Sequence, residues 1–258
     1  MLERLALVAV PGADTWEGAE VVDGHVFGGL LVAQALRAAT QTVEAGKDVH
    51  SLHASFVAAG RGGLPIRYAV ERTRDGSSFA TRRVVAFQET GTVLVLTADF
   101  HVDEAGVEYE APSTSAVPGP DGLEPGRYDN PVVESRDVPP GSATGAPPHA
   151  RHAWFRCTST FGEEPAEHAQ AIAFLSDFGM TRAAREPHAH LSDDARRQSV
   201  SLDHSVWFHR PVRADRWLLS EVVPVSTARG RGLAIATLRT EDGTLAATYA
   251  QEVLLRER

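Results

Sequence analysis

The chain has 258 residues, 43% hydrophobic and 23% charged, with a formal net charge of −9. That excess of carboxylates argues against a nucleic-acid groove or docking on an anionic membrane, and no stretch approaches the roughly 18 apolar residues of a membrane span. Cys157 is the only cysteine, so an intramolecular disulfide and a cysteine-built metal cage are both excluded, and a cytoplasmic enzyme or binding protein is expected.

Gly28 to Ala39 is rich in helix formers and apolar around most of its circumference, the pattern of a helix wrapped by a sheet. After a break at Gly46, Leu52, Ala54 and Phe56 alternate, then Ile66, Tyr68 and Val70, and near-continuous runs follow at Thr81 to Phe87 and Thr92 to Phe100. A helix followed by long antiparallel strands is an α+β pattern. From about Val102 to Ala150 the character changes, for nine of the fifteen prolines lie there, and an extended, poorly packed linker is expected, with Pro131 to Glu134 as a possible edge strand. The second unit resumes at Ala153. It shows a helix over about Ala166 to Phe178, an irregular stretch with Pro187, and strands at Leu202 to His209, Trp217 to Val223, Gly232 to Arg239 and Thr244 to Leu254.

These later strands repeat the earlier ones. Phe56 matches Phe208 (208 − 56 = 152), Gly91-Thr92 matches Gly243-Thr244 (243 − 91 = 152), and Arg61, Val70, Glu89 and Ala98 match Arg213, Val222, Glu241 and Ala250 at the same offset. Two such units, each too small to cover its own sheet, should pack on one another as a dimer does, with sites at the seam. The expected divisions are a first unit over residues 1–110, a Pro/Gly-rich linker over 111–130 and a second unit over 131–258. The helices align only with a gap, which sets Asp177 near Gln34 of the first unit, or near His25 without one.

Common catalytic signatures are mostly missing. Gly141-Ser142-Ala143-Thr144-Gly145 has the wrong spacing for a nucleophile elbow, and Gly230-Arg231-Gly232 lacks the third glycine and the helix of a dinucleotide loop. His149, His152, His188 and His190 lie in loop-like sequence without a defined ligand spacing, and Cys157 in Trp154-Phe155-Arg156-Cys157 reads as a small buried hydrophobe. Neither a metal nor an organic cofactor is expected. Three polar residues stand out in apolar elements of the second unit. A carboxylate at Asp177 is costly unless hydrogen-bonded or functional, although it could cap a break in its helix. Ser201 begins a strand and Gln251 lies late in the last one, where polar residues are also common for structural reasons.

The segments His50-Ser51-Leu52-His53 with Phe56, Arg74-Asp75-Gly76-Ser77-Ser78-Phe79, Arg82-Arg83-Val84, Leu202-Asp203-His204-Ser205-Val206-Trp207-Phe208-His209-Arg210-Pro211 and Gln251-Glu252 resemble the type II acyl-CoA thioesterases, the TesB-like branch of the double-hotdog enzymes. The resemblance runs over both repeats in the same order. It implies a long helix enclosed by an antiparallel sheet in each half, an acyl-CoA substrate, further self-association of the pseudo-dimer, and hydrolysis of fatty acyl-CoA. It also implies that Asp177, Ser201 and Gln251 hold the attacking water. Phe56-Val57-Ala58-Ala59-Gly60 and Leu30 depart from residues common in relatives, away from those three. A non-catalytic acyl-CoA or acyl-carrier binding protein is the alternative; a double-hotdog enoyl hydratase is disfavoured, because the Asp and His of its motif do not occur together here.

Overall fold

The computed structural model describes residues 1–18, 24–113, 115–188 and 199–256. In the first unit, β1 (Leu7–Ala9) and β2 (Thr15–Gly18) precede α1 (Gly28–Thr40), followed by β3 (Lys47–Phe56), β4 (Arg67–Asp75), β5 (Phe79–Gln88) and β6 (Gly91–Val102). Along β5 every second residue, from Ala80 through Arg82, Val84 and Ala86 to Gln88, is buried against α1, as a half-covered strand requires. Nearly the whole circumference of α1 is buried, including Leu30, Leu31, Val32 and Leu36, so the helix is wrapped rather than laid on one face. Each such side chain stabilises the fold by roughly 1.5–3 kcal/mol. The buried guanidinium of Arg82 is tied by its Nε to Thr42 Oγ1 (2.7 Å) and by Nη1 to the Arg74 carbonyl (2.8 Å). This part of the sequence pattern is structural.

The second unit repeats the arrangement. β7 (Val133–Asp137) and β8 (Arg151–Cys157) lead into α2 (Pro165–Leu175), a short α3 (Met180–Arg185) and a 3-10 turn over Glu186–His188, then β9 (Val200–Ser201), β10 (Asp203–Phe208), β11 (Leu218–Ala228), β12 (Arg231–Thr240) and β13 (Leu245–Leu254). The offset of 152 carries β5 onto β12 residue for residue (79 + 152 = 231, 88 + 152 = 240). Among the described residues the strands form one antiparallel sheet, in the order β1-β2-β4-β5-β6-β3-β10-β13-β12-β11-β8-β7 with β9 paired to β13. The two halves join where β3 meets β10, from Asp203 opposite Ser55 to Trp207 opposite Ser51.

Three expectations are corrected. The second helix ends at Leu175 rather than Phe178, and the stretch expected to be irregular contains α3; Gly179, with φ +84°, turns the chain between the two helices. The linker is held down rather than poorly packed: Trp154 Nε1 donates to the Pro118 carbonyl (2.9 Å), while Arg239 donates to Glu110 (2.7 Å) and to the Ala111 carbonyl (2.6 Å). Its polar backbone thus finds partners that composition does not reveal. Finally, Asp177 does not align with Gln34 or His25. Trp16 stands opposite Tyr68, and Ala153 opposite Ser220, the equivalent of Tyr68 (68 + 152 = 220), so the flanking strands are offset by 137 (153 − 16). The helices start at the same offset (165 − 28 = 137), which matches Asp177 with Thr40. Gln34 is a core residue, accepting the Tyr68 hydroxyl (2.6 Å) and donating to the Arg4 carbonyl (2.7 Å).

Candidate active site

Asp177 lies just beyond the end of α2, in the break before α3, and its carboxylate reaches across the seam. Oδ2 accepts the backbone N–H of Gly29 at 2.8 Å. The first-turn N–H groups of a helix have no partner within it, and the residue preceding α1, Phe27, supplies no side-chain cap. A carboxylate from the other unit therefore caps α1, where the helix dipole favours negative charge. The capping expected of Asp177 from sequence is present in altered form: it sits at a helix break, but the helix it caps belongs to the opposite unit.

Two adjacent glycines make this approach possible, for different reasons. A Cβ on Gly28 would lie 2.9 Å from Asp177 Oδ2 and 3.0 Å from Phe56 Cζ; one on Gly29 would lie 2.5 Å from the Phe174 carbonyl oxygen. Gly28 makes room for the carboxylate, Gly29 for the backbone of α2. Among the described residues the N–H of Gly28 has no hydrogen-bond partner.

Gln251, fully buried on β13, connects the other two polar residues. Its Nε2 donates to Ser201 Oγ at 2.6 Å, and its side chain is near enough to lower the pKa of the Asp177 carboxyl. Ser201 is half-buried on β9, the two-residue strand that pairs with β13 at Val253. Asp177, Ser201 and Gln251 are thus brought together. Burial raises the pKa of the Asp177 carboxyl above its ordinary value, opposed by the nearby His204, by the Gly29 N–H and by Gln251. The carboxylate is consequently a stronger base than an exposed aspartate.

Two further residues belong to the network and were not singled out from sequence. His204, fully buried on β10, places Nδ1 2.7 Å from Gln251 Oε1 and Nε2 2.7 Å from Ser176 Oγ. Burial lowers its pKa, favouring the neutral ring. In a neutral ring with Nδ1–H donating to Gln251 Oε1, Nε2 is an acceptor, and the single Ser176 hydroxyl proton is shared between Nε2 and the Ala173 carbonyl (3.0 Å). Held in this way, the Gln251 amide turns its NH₂ toward Ser201 and Asp177. A histidine three residues after a strand serine, with a glutamine late in the last strand, is the sequence signal that points to this network. The neighbouring Asp203 accepts the Glu252 N–H (2.7 Å) and fixes β10 to β13.

Asp177, Ser201 and Gly28 open on a cavity of about 1120 Å³ at the seam, with Phe27, Leu31 and Phe56 from the first unit and Phe178 from the second among its walls. Of the remaining candidates His188 lines the same cavity, whereas Cys157, His149 and His152 lie elsewhere. Burial pushes the Cys157 thiol up to about 12, so it is protonated at neutral pH. His152 holds Glu221 at 2.7 Å within the sheet, His149 is in a turn with φ +61°, and His190 falls outside the described residues. Gly230 and Gly232 belong to the β11–β12 hairpin.

Comparison with known proteins agrees with this layout. Residues 17–101 match the family model described as the acyl-CoA thioesterase N-terminal domain, and residues 107–255 match that of the C-terminal domain. The chain is 34% identical over 261 residues to acyl-coenzyme A thioesterase 8 of Rattus norvegicus, covering 91% of this chain and 81% of that protein. It is 32% identical over 254 residues to acyl-CoA thioesterase 2 of Haemophilus influenzae, covering 90% and 88%. The crystal structure of an acyl-CoA thioesterase II, TesB2, from Mycobacterium marinum superposes with a TM-score of 0.87 at 31% identity, over 100% of this chain and 97% of that one. With a double-hotdog fold and both thioesterase domains in order, the chain belongs to the type II acyl-CoA thioesterases.

Proposed function

We propose that this thioesterase hydrolyses fatty acyl-CoA to free acid and CoA by direct attack of a water held by Asp177, Ser201 and Gln251. The observation that carries this reading is the polar array itself: a desolvated carboxylate and a serine hydroxyl facing one seam cavity, with a buried amide behind them and an unpartnered helix N–H beside them. One Nε2 proton of Gln251 goes to Ser201 Oγ (2.6 Å), and the other is left for the water. The water then gives a proton to Asp177 and rests against the Ser201 hydroxyl, with a lone pair directed at the thioester carbonyl. The Gly28 N–H, at the positive end of α1, is placed to stabilise the oxyanion. A thiol of pKa about 8.5 leaves as thiolate without prior protonation, so one base and one oxyanion donor suffice, and the proton taken by Asp177 is available to the leaving group.

The division into units over 1–110 and 131–258 with a linker between them, self-association of the pseudo-dimer and a cytoplasmic setting belong to the same proposal, supported by the repeat and by the family. A single turnover in ¹⁸O-water tests the chemistry. The label should appear in the released acid, with no acyl adduct on the protein by intact mass; an acyl group trapped on Ser201 or Cys157 would replace water attack by nucleophilic catalysis. Ser201→Thr should retain substantial activity and Ser201→Ala should lose more, since only the hydroxyl is required.

A further inference from the structure

The seam cavity carries a cluster of cations that the hydrolytic step does not use. Arg127, Arg151 and Arg182 all line it. Arg151 and Arg182, like Tyr128 and Phe178, also line a smaller cavity of about 260 Å³, so they belong to the wall that the two spaces share. The three are close enough to repel one another: burial first, then the charges of Arg151 and Arg127, hold Arg182 below the ordinary guanidinium value. Their compensation is thin. Arg127 approaches Asp137 at 4.0 Å and Arg151 approaches Glu186 at 3.4 Å, while Arg182 makes no hydrogen bond or ion pair with another described residue. In a chain of net charge −9, this is a local reversal of sign. Arg127 is exposed at the rim, but gathering guanidinium groups where Arg151 and Arg182 are partly desolvated is unfavourable unless an anion occupies the space between them.

We propose that Arg127, Arg151 and Arg182 form an anion site that holds an oxyanion carried by the substrate, with Arg182 as its principal donor. The inference deepens the thioesterase reading and rests on it. Two parts of an acyl-CoA offer this chemistry, a phosphate of the CoA moiety and a carboxylate at the far end of the acyl chain. Arg182 is five residues from Asp177, two of those steps being helical, so the Cα atoms are at most about 14 Å apart by extended and helical rises. Together with the length of an arginine side chain, that span fits either source. An open guanidinium fork suits phosphate and carboxylate alike.

Three thioesters separate the sources: octanoyl-CoA, octanoyl-pantetheine, which lacks the phosphates, and suberoyl-CoA, which adds a terminal carboxylate. Each is assayed with wild type, Arg182→Gln and Arg182→Lys, with thermal melts to verify folding. If phosphate is the ligand, Arg182→Gln raises KM for octanoyl-CoA by about tenfold or more, and octanoyl-pantetheine changes by less than about twofold. If carboxylate is the ligand, the loss is confined to suberoyl-CoA. Arg182→Lys, which keeps charge but not the fork, should fall between wild type and Arg182→Gln. Equal losses on all three substrates, or no loss on any, overturn the anion site. Calorimetric titration with CoA alone separates this failure from failure of the function. A wild type that hydrolyses none of the thioesters, yet binds CoA more tightly than Arg182→Gln does, keeps the site and loses the hydrolysis; one that neither hydrolyses nor binds loses both.

Discussion

The two halves of the chain share a backbone and differ in the polar residues placed on it. Ser201 corresponds to Val49, Gln251 to Asp99 and His204 to Leu52 at the offset of 152, and Asp177 to Thr40 at the offset of the helices. The first half thus has no hydroxyl where the second has Ser201, and no imidazole to orient an amide. Its carboxylate, Asp99, accepts the Thr81 hydroxyl at 2.5 Å within the sheet. Thr40 returns its hydroxyl to the Leu36 carbonyl of its own helix (2.8 Å). The difference teaches that one hotdog scaffold can carry two unlike sets of seam side chains, and on the proposed reading only the second set makes a site.

The largest expected effect is at the base. Asp177→Asn keeps the shape and the acceptor for the Gly29 N–H, so thioester hydrolysis should fall by about 10²-fold or more with folding intact; a folded variant near wild-type turnover would exclude Asp177 from the chemistry. Gly28→Ala should cost nearly as much, about 10- to 100-fold, because the added Cβ meets both Asp177 Oδ2 and Phe56. A crystal structure of that variant with the carboxylate unmoved, or unimpaired kinetics, would break the steric argument. His204 is a positioning residue. Its replacement by Leu should lower kcat by about tenfold with little change in KM, while His204→Asn, which can restore a donor toward Gln251, should recover part of the loss. Equal kcat in the Leu and Asn variants would reduce His204 to packing. Smallest of all, Asp99→Asn should leave more than about a tenth of wild-type activity. A loss from Asp99 matching that from Asp177 would mean that both seams act together.

The acidity of Asp177 sharpens the same comparison through pH. Since burial raises its pKa, the acid limb of kcat/KM should have its midpoint above the ordinary carboxylate value of 3.8. For stability the sign is set by linkage. A carboxyl bound more tightly to its proton in the folded state adds stability below its unfolded pKa and loses it as pH rises through the folded one. Asp177→Asn, neutral throughout, should therefore gain in melting temperature relative to wild type at neutral pH, and the gap should close on acidification. A gap that widens toward low pH would contradict a raised pKa.

Much of this was legible in the sequence, and what was not has physical causes. The strands were readable because burial on one face imposes alternation, and the repeat matched the two sets of strands at a single offset of 152. Asp177, Ser201 and Gln251 could be singled out as polar residues in apolar surroundings, and the resemblance gave them a common task. His204 and Ser176 escaped because each looks ordinary alone; only the fold brings β10 and the end of α2 together. The helix alignment misled because both Gln34 and Asp177 are polar residues in an apolar helical context, whereas the offset of 137 emerges only from the register of β2 and β8 against their partners. The packing of the linker was hidden because backbone carbonyls such as those of Ala111 and Pro118 carry no residue-specific signal for the side chains they accept.

The union of β3 with β10 in a single sheet has an evolutionary reading as well as a geometrical one. In a symmetric dimer of one gene product, every substitution appears at both seams, and a change that improves one site while spoiling the other cannot be kept for one alone. Once the two copies are covalently joined, each seam has its own codons. Gln251 can be retained where an amide is useful while Asp99 drifts to a different task, and the half freed from chemistry can specialise as the wall, cap and cavity floor for its neighbour.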